Sequence, residues 1–288
     1  MKKCCFFLLL LVLAAAGVFI GGIGRFEFMP PASTCASCHE IQPSERHWLM
    51  SAHRAVDCHA CHGSSMGSLG DNAKRVWSHI TQARHDDIRL SEKQIVEMTA
   101  ACGRCHAKEY ADWKASGHGK DYGTFFTNTV HNAAYKPADD CLRCHGMFFE
   151  GECGDLLQEV YASGTTAERA PAYGAAWRFR DPGRAATPAI PCLACHEMHA
   201  ANVSTNAFYW RGSRQHLAVN DRCVQCHSPD ASGKPGTADD KTVTGAHAGY
   251  GCTVCHKGHS LDARSSCRGC HAKPMPYKGD AHRIEKKR

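Results

Sequence analysis

Cys35-Ala36-Ser37-Cys38-His39 opens a pattern that returns seven more times: Cys58-His59-Ala60-Cys61-His62, Cys102-Gly103-Arg104-Cys105-His106, Cys141-Leu142-Arg143-Cys144-His145, Cys192-Leu193-Ala194-Cys195-His196, Cys223-Val224-Gln225-Cys226-His227, Cys252-Thr253-Val254-Cys255-His256 and Cys267-Arg268-Gly269-Cys270-His271. Of the 19 cysteines, only Cys4, Cys5 and Cys153 stand outside these pairs. Zinc ribbons and redox dithiols also use Cys-x-x-Cys, but neither needs His directly after every pair, and a disulfide framework does not need it either. Cys-x-x-Cys-His is the attachment signature of c-type haem: two thiols become thioethers to the vinyl groups, and the next His binds the iron as proximal ligand. Eight covalently attached haem c groups are therefore expected.

Composition agrees with an interior supplied partly by cofactor. The chain has 288 residues, 43% of them hydrophobic and 22% charged, which is ordinary for a globular protein. The 19 Cys and 20 His are not ordinary. The apolar residues lack the patterning of one large core, which argues against a doubly wound α/β enzyme, a barrel or a simple helical bundle. With one haem per about 33 residues beyond the N-terminal segment, the expected fold is mainly α with much irregular structure, packed around a chain of haems. No phosphate-cradling Gly loop and no Ser/His/Asp arrangement stands out.

Residues Phe6 to Ile23 are uncharged and mostly apolar, and Lys2 and Lys3 precede them. The stretch reads as a signal peptide with Ala14-Ala15-Ala16 at its cleavage site, or as one N-terminal transmembrane helix at the short end of the usual range. Either way the rest of the chain is exported, as c-type attachment requires. The close approach of the first motif favours the uncleaved anchor, giving a single helix in the bacterial cytoplasmic membrane and a haem domain in the periplasm. Cys4 and Cys5 lie too near the start for an ordinary lipoprotein signal, and Cys153 reads as a free structural thiol.

The expected organisation is an anchor over residues 1–28, a haem domain with four motifs over 29–146, a haem-free connection over 147–191 and a C-terminal region with four motifs over 192–288. Leu69, Ala73, Val76, Trp77 and Ile80 recur at helical spacing and predict a helix over residues 69–84. A second helix is predicted from Ser91, with Gln94 completing a capping box, running into the third motif. Residues 228–251, rich in Gly, Pro, Asp and Ser, read as a loop. A weak repeat links Trp48-Leu49-Met50-Ser51-Ala52-His53, Trp113-Lys114-Ala115-Ser116-Gly117-His118 and, with one extra residue, Trp210-Arg211-Gly212-Ser213-Arg214-Gln215-His216. The three Trp read as haem-packing residues.

Eight proximal ligands are supplied by His39, His62, His106, His145, His196, His227, His256 and His271. Twelve other His remain, enough to give most irons a second imidazole and so close them to substrate. The candidates with a local pattern are His53, His118 and His216 in the Trp-x-x-Ser setting, and His53 and His247, each five residues before a motif cysteine. His199 and His259 follow a proximal His by three. His79 lies on the predicted helix and His131 precedes the fourth motif. A His three residues after the proximal one cannot easily reach the opposite side of the same iron, so it would serve a neighbouring haem. His59 and His282 read as ordinary histidines.

Formal net charge is +6. Two propionates per haem against one positive charge per ferric bis-His centre bring the loaded protein to roughly neutral or acidic, which counts against nucleic acid as a partner.

Residues 1–90 resemble the NapC/NirT family of membrane-anchored quinol dehydrogenases and the related NrfH. The resemblance is carried by the N-terminal helix, Cys35-Ala36-Ser37-Cys38-His39-Glu40, Ser51-Ala52-His53, Cys58-His59-Ala60-Cys61-His62 and the basic stretch with Lys74 and His79. It implies a quinol pocket at the first haem with Lys74 beside it, and delivery of electrons to a periplasmic reductase or cytochrome. Ile41 stands where the family often carries Met. The expected function is thus electron transfer from membrane quinol, or another membrane donor, to a periplasmic redox partner. The rival expectation is a multihaem oxidoreductase acting on a small nitrogen or sulfur compound at one five-coordinate haem.

Overall fold

A computed structural model describes residues 2–37, 39, 41–63, 77, 81, 90–160, 176–196, 198, 207–210, 213–216, 223, 226–227, 250–256, 259 and 264–271. The expected helix over 69–84 lies outside these residues except at Trp77 and Thr81, where the Thr81 amide bonds the Trp77 carbonyl at 3.0 Å. The expected loop over 228–251 lies outside them apart from its last residues.

Contacts divide the chain into two compact units, residues 1–101 with 197–203 and residues 102–196 with 204–288. The first unit carries the first two motifs. It begins with α1, Lys2–Phe28, a helix of 27 residues. The described side chains of α1 run unbroken from Phe6 to Gly22, and its large apolar ones, from Phe6 through Ile20, are all exposed. Among the described residues no helix is long and apolar enough to cross a membrane. There follow α2 (Pro31–Thr34), α3 (Gln42–Met50), α4 (His59–His62) and α5 (Glu92–Cys102). The α5 start is the one expected: the Ser91 amide donates to Gln94 Oε1 at 3.0 Å, and the Gln94 amide returns to Ser91 Oγ at 3.4 Å. Its buried face repeats at Glu92, Ile95, Met98 and Thr99, three or four residues apart, and it ends on the first cysteine of the third motif.

The second unit contains α6 (Ala107–Ala115), α7 (Tyr122–Phe126), α8 (Thr129–Ala134), α9 (Asp139–His145) and α10 (Cys153–Leu156), followed by β1 (Leu157–Val160) and β2 (Ala176–Phe179). Strands β1 and β2 pair antiparallel with Leu157 opposite Phe179. Then come β3 (Ala207–Trp210) and β4 (Ser213–His216), also antiparallel, and the single turns α11 (Cys252–Cys255) and α12 (Arg264–Cys267). Among the described residues the chain is mostly helical with irregular stretches, as expected. The two small hairpins were not expected, because four-residue strands carry too few positions for a period-two signal.

A conventional apolar core forms beside the fourth attachment motif, which contributes Leu142 to it. Tyr122, Phe126, Leu142, Cys153, Leu156, Leu157, Phe179 and Ala189 are buried together, with the Phe126 ring edge-on to Tyr122 at 5.7 Å. Asp121 caps α7 by accepting the Thr124 amide at 2.9 Å. The Tyr122 amide reaches the Thr187 carbonyl at 2.9 Å, and the Ala189 amide reaches Lys120 at 2.9 Å. The segment after the fourth motif thus folds back on the segment before it. Cys153, the odd thiol, is buried in this core, as its structural reading required.

Candidate haem-attachment site

The second, third, fourth, fifth, seventh and eighth motifs are each one helical turn. The His62 amide bonds the Cys58 carbonyl at 2.9 Å; His106 does the same to Cys102, His196 to Cys192 and His256 to Cys252, each at 2.9 Å, and His271 to Cys267 at 2.8 Å. The fourth motif sits at the end of α9. One turn brings residues i, i+3 and i+4 to the same face, so both sulfurs and the imidazole point one way. In the first motif, Cys35 and His39 are described and Cys38 lies outside.

All the described motif cysteines are free thiols. Two sulfurs on one face that do not close on each other suit a pair of thioether bonds to one planar group. His145 adds a second indication. Its Nδ1 is buried without a hydrogen-bond partner, Phe125 stacks on the ring at 4.0 Å, and burial, with His131 and His227 nearby, pushes its pKa down to about 4. The imidazole is thus held neutral, the form in which it ligates a metal. The donor set fits haem c, with the two cysteines holding the macrocycle and the following His holding iron.

Sulfurs of different motifs meet. The Cys192 thiol donates to Cys102, which drops to about 7. The Cys226 thiol donates to Cys144, lowering Cys144 and raising its own pKa, with burial adding to the rise. The structure therefore brings the third motif to the fifth and the fourth to the sixth.

The Trp-x-x-Ser-x-His repeat is a structural repeat at its first two copies. Ser51 Oγ donates to the Trp48 carbonyl at 2.8 Å, and the His53 amide donates to Ser51 Oγ at 3.1 Å. The second copy matches: Ser116 Oγ to the Trp113 carbonyl at 2.7 Å, and the His118 amide to Ser116 Oγ at 3.1 Å. Both serines end a helix with extended backbone (ψ 169° and 171°), so one device aims both histidines. The indoles anchor the device, Trp48 Nε1 donating to the Val56 carbonyl at 3.2 Å and Trp113 Nε1 to Ile190 at 3.0 Å. The third copy differs: Trp210 pairs with Ser213 in the β3–β4 hairpin, because Ala207-Phe208-Tyr209-Trp210 favours strand over helix.

The other expected second ligands scatter. His118 is half-buried, its ring centre 6.1 Å from that of His227 at an interplanar angle of 47°. Burial, then His227 and His256, lower its pKa. The His259 ring centre is 5.7 Å from that of His196, with 31° between planes. His131 is exposed on α8, 5.3 Å from the Tyr135 ring, and is an electrostatic neighbour of His145. His216 lies in β4, paired with Ala207. His79, His199 and His247, and Lys74, lie outside the described residues. His59 pairs with Asp57 Oδ1 at 3.5 Å, as an ordinary histidine would. Among the described residues no cluster of three or more His, Cys, Asp or Glu forms a bare metal site.

Sequence reasoning missed Phe125 and Gly119. Gly119 closes against the Trp113 carbonyl so tightly that a Cβ would collide with it and lie 2.6 Å from Lys114 Cα. Its position directly after His118 was the available signal.

Residues 101–165 match the family model described as cytochrome c554 and c-prime. The chain is a multihaem c-type cytochrome. The match spans the third and fourth motifs, the second Trp-x-x-Ser-x-His element and the start of the apolar core. The cytochrome is an electron-transfer haem protein with covalently bound haem c. No curated protein and no solved structure gives a significant match to it.

Proposed function

We propose that the chain is an octahaem cytochrome anchored in the bacterial cytoplasmic membrane, taking electrons from membrane quinol or another membrane donor and passing them to a periplasmic reductase or cytochrome. The carrying observation is the recurrence of one attachment turn at six motifs, with Cys102 beside Cys192 and Cys144 beside Cys226. Bound haem c supplies a one-electron couple at each iron. The protein's part is spacing. Cys102 against Cys192, and Cys144 against Cys226, hold the attachment edges of two pairs of sites side by side. The Phe125 ring covers one face of His145 and keeps it from water.

The anchor is supported by α1, whose apolar side chains from Phe6 to Ile20 are all exposed behind Lys2 and Lys3. The NapC/NirT resemblance of residues 1–90 supports quinol as donor, with Lys74 in the pocket.

Membranes containing the full chain test the reading. Intact mass and the pyridine haemochrome spectrum should give eight haems per chain. A quinol analogue should reduce them, and Lys74→Ala should slow that reduction at least tenfold while leaving dithionite reduction intact. Haem that only dithionite reduces would remove the quinol donor, and recovery of the chain in the soluble fraction would remove the anchor.

A further inference from the structure

We propose that His118 and His259 are the second axial ligands of the irons held by His227 and His196, respectively, so that the sixth and fifth motifs carry bis-histidine centres closed to exogenous ligands. The assignment rests on the haem c reading above and deepens it.

Its basis is a distance. An imidazole nitrogen binds a transition metal at about 2 Å and the ring centre lies about 1 Å further, so two imidazoles on opposite sides of one metal have centres about 6 Å apart. The two observed separations are 6.1 Å for His118 with His227 and 5.7 Å for His259 with His196. Rings that pack directly in the same unit span 4.0 Å, for Phe125 on His145, to 6.5 Å, for Phe126 edge-on to His145, so the separation counts here because both members of each pair are imidazoles and one of them follows a Cys-x-x-Cys pair. The interplanar angles of 47° and 31° suit two axial ligands, which turn freely about their common axis.

Backbone chemistry holds His118 in place. Its amide is fixed on Ser116 Oγ, and the next residue, Gly119, is pressed against the Trp113 carbonyl. A ligand so constrained loses little conformational freedom on binding. His259 follows the seventh proximal ligand, His256, by three residues, a spacing that keeps it from that iron's far side and leaves it for a neighbour. Each second ligand therefore comes from a stretch of chain remote from the motif it completes. His118 follows the third motif and serves the sixth, while His259 follows the seventh and serves the fifth. This crossing ties distant attachment turns together, and it excludes the fifth and sixth centres as places where a small molecule could bind iron.

The test is electron paramagnetic resonance of the oxidised full-length holoprotein, with haem content measured by mass. His118→Gly should convert one haem equivalent from low spin to high spin, and added imidazole should restore it. His259→Gly should convert one, and the double variant two. Removing the sixth attachment site with Cys223→Ala and Cys226→Ala should make His118→Gly spectroscopically silent; a new high-spin signal on that background would mean that His118 serves another iron and would overturn the assignment. A fully loaded His118→Gly protein with unchanged spin populations would also overturn it. If the glycine variant does not accumulate, His118→Met should show the near-infrared sulfur-to-iron charge-transfer band of one His/Met centre, and a loaded protein without that band would refute the pairing. Wild-type protein lacking haem mass would instead sink the underlying cytochrome reading, an outcome distinct from all of these.

Discussion

Trp113 and Ile190 are joined across 3.0 Å, the indole N–H donating to a carbonyl two residues before Cys192. The bond ties the turn that aims His118 to the start of the fifth attachment motif. Trp113 is only 6% exposed, so water has little access to replace it. The equivalent bond from Trp48 to Val56, at 3.2 Å, stays within one short loop and involves a half-buried indole.

The two bonds should therefore differ in weight. Trp113→Phe leaves the Ile190 carbonyl without its donor and opens space beside it, at a cost of about 1–3 kcal/mol. Trp48→Phe exposes its carbonyl partner to solvent and should cost about 1 kcal/mol or less. Thermal melts of the two holoproteins, followed in the far ultraviolet, give the comparison; equal midpoint shifts would show that the long-range tie carries no extra weight.

Gly119 offers a steric test of the same turn. A Cβ there meets the Trp113 carbonyl, backbone that cannot rotate aside. Gly119→Ala should cost about 1–3 kcal/mol of strain and shift the backbone at His118. Gly117, with nothing within 4 Å of an added Cβ, is the control, and Gly117→Ala should leave the melting midpoint within a degree or two. Matching behaviour of the two variants would contradict the close packing.

Leu142 sits between the first and second cysteines of the fourth motif yet is only 1% exposed, its side chain in the apolar core rather than on the attachment face. Leu142→Ala should destabilise the second unit by about 2–5 kcal/mol through lost burial and the cavity left behind. Haem content per folded chain should stay unchanged, because neither sulfur nor the imidazole is touched. Loss of one haem by mass at full stability would reverse that division of labour.

Some of this was readable in the chain and some was not, for physical reasons. The attachment motifs were legible because covalent chemistry fixes residue type and spacing together, and the start of α5 because Ser91 and Gln94 form a local reciprocal cap. The Trp-x-x-Ser-x-His element was legible as a repeat, but not its split into two helix-ending turns and one hairpin. Residues 207–210 decide that split through strand preference, and the repeat positions themselves are alike. The pairings of His118 with His227 and of His259 with His196 were not legible, since local spacing identifies a free histidine but not the distant iron it can face. The small core from Tyr122 to Ala189 was hidden too, because its members come from short elements whose apolar positions are too few to show a period.

Cys153 carries a dependence on alkaline pH. Burial, followed by the nearby Cys141 and Asp139, pushes its thiol up to about 12. The folded pKa therefore exceeds the unfolded one, about 8.5. The buried protonated thiol contributes full stability below the unfolded value, and that contribution is lost as pH rises from there toward the folded value, because the unfolded chain gives up its proton first. Wild-type holoprotein should lose stability between about pH 9 and 11 with a steeper slope than Cys153→Ala, whose curve lacks this contribution. Native Cys153 should also resist alkylation at pH 8.5 and react on unfolding. Parallel pH profiles for wild type and Cys153→Ala, or rapid alkylation of the native thiol, would show that the core does not shield it.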